Sequence, residues 1–198
     1  MDTAAILAGG RARRLGGCAK GVLPLGDARI IDRQIAVLCD VVDHVLIVAN
    51  EPAPYAALGL PIVADLIPDA GALGGIYTAL TAAPGRQTLL VACDLPFLSV
   101  AFLRHLLAAG REVEAAVPRG VNGFEPLCAS YTRDCLEPIR RRLAARALKV
   151  TQFLADVRVR EIGPEEIARF DPEGILFLNV NTPDDYARAL AQLDPRTP

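Results

Sequence analysis

Residues 4–26 read AAILAGGRARRLGGCAKGVLPLG: an apolar run of strand length that empties into glycine and positive charge. Gly9 and Gly10 follow the run directly, Arg11, Arg13 and Arg14 come next, and Gly16, Gly17 and Lys20 complete the loop. Glycine permits positive φ and close approach of the backbone, and successive N–H groups in such a turn form a concavity for anions. The basic side chains around it are suited to neutralise a polyphosphate. The chain holds 19 arginines and two lysines, and one of those lysines is in this loop. Neither G-x-x-x-x-G-K-[ST] nor G-x-G-x-x-G occurs here, so this is not one of the two common phosphate motifs.

Outward from the loop, short apolar runs alternate with helical patterns. Strands are expected near 3–8, 44–49, 61–64, 88–93, 113–117, 126–131, 157–162 and 175–178. Helices are expected near 31–42, 52–58, 73–83, 99–109, 133–146, 149–155 and 183–193. Such alternation means β-α-β units and a parallel sheet covered on both faces. The runs HVLIVA and TLLVAC, apolar without a break, suit central strands buried on both sides. The rhythm breaks between 113 and 178, where strands crowd together and antiparallel additions are expected. The fold class is therefore α/β: a single Rossmann-like three-layer domain spanning 1–198, its central sheet mostly parallel and partly mixed. Thr182 is placed to cap the last helix, with Pro183 at its first position and Asp184 and Asp185 at its positive end.

Bulk properties narrow the function. A net charge of −2 over 198 residues argues against broad electrostatic binding of nucleic acid or an acidic membrane. Met1 and Asp2 run straight into the first strand with no signal-peptide pattern, and the apolar stretch 89–103 is broken by Asp94 and Pro96. Five cysteines, Cys18, Cys39, Cys93, Cys128 and Cys135, form an odd set without a C-x-x-C pair, which reads as reduced thiols in a cytoplasmic protein.

In doubly wound sheets ligands sit beyond the carboxyl ends of the strands. VACDLP puts Asp94 at such an end, where an isolated carboxylate needs a cavity or a cation. Mg²⁺, held by one or two carboxylates plus substrate phosphates, fits the position; a helix N-cap explains it as well. GALGG, 71–75, opens a helix with a turn whose backbone can address a purine edge, or else simply starts that helix with small residues. Asn179 and Asn181 lie two apart in NVNTPDD and share a direction if a strand continues there. Glu125 is acidic inside an apolar segment. The helix bearing Arg140, Arg141, Arg142, Arg146 and Lys149 reads first as a solvated face and second as a docking surface for an anionic phosphate or a partner protein. His44 and His105 belong to no motif, and Cys93 and Cys18 read as small fillers beside the loop.

The pattern L-A-G-G-x-x-x-R-x-G-G-x-x-K, Leu7 to Lys20, resembles the signature of the molybdenum cofactor guanylyltransferases, within the nucleotide-diphospho-sugar transferase-like nucleotidyltransferases. The resemblance continues through ADLIPDAGALGGIYTAL, VACDLPFL, FEPLCASY and FLNVNTPDDY, with Ala72 where the family usually has proline. It implies transfer of GMP from GTP to the terminal phosphate of molybdenum-bound molybdopterin, with release of pyrophosphate and with Mg²⁺ or Mn²⁺ as cofactor. It implies a nucleotide-binding half over about 1–110 and a cofactor-side half over about 111–198. Carried over by position, Leu7, Ala8, Gly9, Gly10, Lys20, Asn50, Asp65, Gly71, Gly74 and Asp94 are nucleotide contacts. Arg14, Lys20 and Asp94 are catalytic, Asp94 holding the metal, and Asn179, Asn181 and Glu125 face the pterin. Turn formation accounts for Asn50 and Asp65 nearly as well. Transient contact with proteins that deliver or receive the cofactor is also implied. Two rival readings stand beside this one: a sibling using CTP or another phosphorylated acceptor, and a non-catalytic nucleotide-binding regulator.

Overall fold

The computed structural model describes residues 1–9 and 20–193. Gly10, Arg11, Arg13, Arg14 and Cys18 therefore lie outside the described residues. The first strand, β1 (Asp2–Leu7), is the axis of the sheet. After it come the short strands β2 (Pro24–Leu25) and β3 (Ala28–Arg29), helix α1 (Ile30–Cys39), β4 (His44–Val48) and β5 (Ile62–Val63). Helix α2 (Gly71–Ala82), β6 (Gln87–Ala92) and α3 (Val100–Ala109) complete the first half. The second half contains β7 (Ala115–Gly120), β8 (Gly123–Phe124), β9 (Cys128–Thr132), α4 (Leu136–Ala144), α5 (Val150–Phe153), β10 (Val159–Ile162), α6 (Pro164–Ile167) and α7 (Pro183–Ala191).

The main sheet runs β10-β7-β9-β6-β1-β4-β5, with β8 paired to β7. All pairings along that order are parallel except the two made by β9, which lies antiparallel between β6 and β7. That inserted strand is the mixed element expected from the crowding after 113. Because the chain moves from β1 to β4 on one side and returns to β6 on the other, β1 is the switch point where a crevice opens between helices.

Strand alternation sorts the core into two layers. Ala4, Ile6 and Ala8 pack with Ile31, Leu38 and Phe102 on one face; Ala5 and Leu7 pack with Leu73, Ile76 and Leu80 on the other. A third cluster joins the β2–β3 hairpin to the end of the chain: Leu25 and Ile30 bury Val180 and Ala189, and the Tyr186 hydroxyl donates to the Pro24 carbonyl at 2.7 Å. Thr182 caps α7 as expected, its hydroxyl accepting from the Asp185 amide while the Asp185 carboxylate accepts from the Thr182 amide. Among the described residues no helix is long and apolar enough to cross a membrane. Cys39, Cys93, Cys128 and Cys135 carry free thiols.

The strand expected at 175–178 does not form. Its backbone donors are spent locally: the Asp171 carboxylate accepts from the amides of Ile175 (3.0 Å) and Leu176 (2.9 Å), and Leu178 N–H bonds back to Ile175. The segment becomes a strap across the strand ends, fixed where Val180 N–H donates to the Asp94 carbonyl at 2.9 Å. The helix expected over 52–58 is a 3₁₀ segment, Ala53–Leu58.

Candidate active site

Three strand ends form the floor of the site. Leu7, Val48 and Ala92 close β1, β4 and β6, stand side by side in register, and all line one cleft of about 680 Å³. The cleft brings together Gly9, Lys20, Asn50, Asp65, Gly71, Asp94, Glu125, Asn179 and Asn181, residues up to 172 positions apart (Gly9 to Asn181). Leu7 and Gly9 line it, whereas Ala8 does not. The Ala8 amide donates to Val48 O at 2.9 Å and its methyl points into the core.

Lys20 spans the mouth. Its ammonium donates to Asp94 Oδ2 at 3.1 Å and to Asn181 Oδ1, tying the glycine loop to both the β6 end and the strap. Two of its three N–H donors are thus taken among the described residues. Asp94 is not a helix cap, for α3 is capped by Ser99, whose hydroxyl accepts from Phe102 N–H. The other carboxylate oxygen, Asp94 Oδ1, is buried without a partner. The neighbouring Cys93 thiol is pushed up to about 12 by burial and then by the Asp94 charge, so it stays protonated and is no nucleophile.

Asn50 and Asp65 hold each other: Asn50 Nδ2 donates to Asp65 Oδ2 and Asp65 N–H to Asn50 Oδ1, both at 2.8 Å. Both bonds reach across 15 residues, so neither is a local Asx turn, and Asp65 Oδ1 remains buried and unpartnered beside the cleft. Thr78, fully buried on α2, steadies this corner by accepting from Leu66 N–H while donating to Gly74 O.

The adjacent glycines Gly74 and Gly75 of α2 divide the work differently from the sequence expectation. Gly74 does not line the cleft; a Cβ there would stand 2.6 Å from the Ala70 Cβ and 3.4 Å from the Ile67 carbonyl. Gly75 lines the cleft, and the nearest atoms to a Cβ there are the Leu7 methyls at 3.6 Å and Asp65 Oδ1 at 3.9 Å, ordinary contact distances. Gly74→Ala is therefore expected to overpack the turn and lower unfolding stability by about 1–3 kcal/mol, while Gly75→Ala folds normally. Urea denaturation of the two variants checks this, and equal stability would count against it. Asp69, which the sequence reading passed over, also lines the cleft and sits in a left-handed conformation (φ 57°) ahead of Gly71 (φ 58°).

A second cavity of about 680 Å³ abuts the first and shares Glu125, Asn179 and Asn181 with it. Burial raises the Glu125 carboxyl above the ordinary carboxylate range. Asn179 and Asn181 thus reach one place along an irregular strap and not along a strand. Elsewhere, Arg140 pairs with Glu137 and Arg142 with Asp156, as on a solvated helix face. His105, unassigned in sequence, joins α3 to α6 through Glu166 at 2.6 Å.

Among the described residues of the first cleft, Lys20 is the one cation against Asp65, Asp69, Asp94 and Glu125. No cluster of three or more His, Cys, Asp or Glu side chains suited to a metal is present among the described residues. A single carboxylate with a vacant, buried oxygen fits a hard cation that arrives with phosphate ligands of its own.

Such a crevice places the chain in the class of α/β proteins that grip nucleotides at the switch point of a parallel sheet. Residues 4–159 match the MobA-like NTP transferase domain. A probable molybdenum cofactor guanylyltransferase of Pelotomaculum thermopropionicum is 37% identical, over 94% of this chain and 91% of its own length. The molybdenum cofactor guanylyltransferase of Desulfosudis oleivorans is 34% identical, over 96% and 95%. Among solved structures, molybdopterin-guanine dinucleotide biosynthesis protein A from Archaeoglobus fulgidus superimposes with a TM-score of 0.82 at 27% identity, covering 94% of this chain and 96% of that one. The chain belongs to the MobA-like NTP transferase family and stands among its molybdenum cofactor guanylyltransferases.

Proposed function

We propose that this protein transfers GMP from GTP to the terminal phosphate of molybdenum-bound molybdopterin, forming the guanine dinucleotide cofactor and releasing pyrophosphate. The observation that carries the reading is the seam between two cavities of equal size, where Glu125, Asn179 and Asn181 belong to both and Lys20 reaches Asn181. Two substrates brought from opposite sides meet there. GTP occupies the half built from residues 1–110, with Leu7, Gly9, Asn50, Asp65 and Gly71 around the nucleoside. The pterin lies on the 111–198 side.

The attacking group is a phosphate oxygen, already anionic near neutral pH. It forms a bond to the α-phosphorus as the bond to the β-phosphate oxygen breaks, and pyrophosphate leaves with that electron pair. No general base is needed, and the work of the protein is positioning and charge stabilisation. Lys20 supplies a fixed positive charge for the departing pyrophosphate; Arg14 and the amides of Gly9 and Gly10 are assigned the same task. Asp94 is the residue that would hold Mg²⁺ or Mn²⁺, which supplies charge neutralisation to the triphosphate when bound. Among the described residues the cleft sets four carboxylates against Lys20, which supports that need. Reduced thiols and near-neutral charge support a cytoplasmic enzyme, in transient contact with proteins that deliver or receive the cofactor.

Pyrophosphate release with each of the four nucleoside triphosphates, with and without molybdenum cofactor, tests the proposal. GTP is expected to act alone, and only when the cofactor is present. Adenine reverses the donor and acceptor pattern of the guanine edge and strands buried polar groups. At about 1–3 kcal/mol for each such loss, calorimetry is expected to favour GTP over ATP by on the order of 10²-fold. CTP binding as tightly as GTP would transfer the assignment to a cytidylyl sibling. Nucleotide binding without turnover on any acceptor would favour the regulator.

A further inference from the structure

The turn that presents Asp94 is held from beneath by a side chain that lines neither cavity. Gln34 on α1 is fully buried, and its amide nitrogen donates to the carbonyls of Ala92 at 2.7 Å and Leu95 at 2.8 Å. Those carbonyls bracket Asp94, whose own carbonyl accepts from Val180 N–H at 2.9 Å. Both N–H donors of the glutamine are thereby used, while its Oε1 is buried with no partner. A polar side chain kept in the core with an orphaned oxygen is there for what its nitrogen does.

We propose that Gln34 is a positioning residue for the reaction: by fixing the two carbonyls on either side of Asp94, it sets the direction of the Asp94 carboxylate, which lines the cleft, toward the metal–nucleotide complex. This rests on the reading of Asp94 as the metal-holding residue. Outer partners of metal ligands set ligand direction, and their loss commonly weakens metal affinity by about 10- to 100-fold. The molecule contains its own comparison. Gln87, at the opposite end of β6, is likewise buried and donates to Leu107 O at 2.7 Å and Ser130 Oγ at 2.8 Å, far along the strand from the cleft.

The experiment measures GTP affinity by calorimetry twice, with Mn²⁺ and with the metal chelated, and reads the ratio. Gln34→Met, similar in length and without donors, is expected to reduce the Mn²⁺ enhancement by about tenfold or more while leaving metal-free GTP affinity unchanged. Gln87→Leu is expected to lower stability yet keep the full enhancement, which separates positioning from general weakening of the fold. Gln34→Asn, whose shorter amide cannot span both carbonyls, serves if the methionine variant does not fold, with the same expected loss. Full Mn²⁺ enhancement in a folded Gln34 variant, with Asp94→Asn abolishing it, overturns the role of Gln34 alone. Full enhancement in Asp94→Asn overturns the metal reading and this proposal with it.

Discussion

Asp94→Asn is expected to give a folded protein whose divalent-cation-dependent turnover falls by about 10³-fold or more. The fold survives because nothing in the turn depends on the charge. Ser99 caps the following helix, Gln34 and Val180 hold the backbone around position 94, and the amide retains the carboxylate's shape. Lys20 keeps a carbonyl oxygen to donate to. What disappears is the negative charge of a carboxylate that lines the cleft, and with it the attraction for a cation. Pyrophosphate release across a titration of Mg²⁺ or Mn²⁺ reads the outcome. If wild type and variant respond alike, Asp94 carries no metal.

Lys20→Ala is expected to lower kcat by on the order of 10²- to 10³-fold, the loss usual for one preorganised donor at a developing negative charge. GTP affinity should fall far less, since charge on the leaving pyrophosphate is greatest in the transition state. The ammonium is held ready by Asp94 Oδ2 at 3.1 Å and by Asn181, so little reorganisation accompanies its use. Lys20→Arg should not restore the rate, because a planar fork cannot occupy the corner between a carboxylate and an amide as a compact ammonium does. Unchanged kcat in the purified alanine variant would remove Lys20 from the chemistry and leave it a tether.

Much of this arrangement is legible in the sequence, for a definite reason. Unbroken apolar runs such as TLLVAC mark strands buried on both faces, and the residues just beyond them must then stand at one edge of the sheet. Asp94 is placed that way, Asn50 and Asp65 by the family resemblance, and the structure brings all three to one cleft. Helix phase was harder. Gly74 and Gly75 look interchangeable in GALGG, but only the packing of Ala70 against one and of Leu7 against the other shows which faces the cleft. The strap was misread because Leu and Phe at 176–178 have strand composition, while the Asp171 carboxylate that folds them into turns acts from outside the run. Gln34 did leave a signal that went unused. It lies four residues from both Ile30 and Leu38, on the apolar stripe of α1, where a polar side chain demands a partner. Arg14 and Gly10 belong to the quoted loop but not to the described residues, so their part in the site rests on the sequence.

The tie between Lys20 and Asn181 joins residues 161 positions apart, and the Tyr186–Pro24 bond closes a span of 162. A ribosome delivers the chain from its amino end, and the central strands through β6 can pair while the strap is still unmade. Closing so long a loop is among the last and entropically dearest steps of folding. The strand ends that floor the first cleft can thus be in place before the strap that completes its wall with Asn179 and Asn181. On the proposed reading, Asn179 and Asn181 reach the seam only once the strap is in place, so the two halves of the site are joined last.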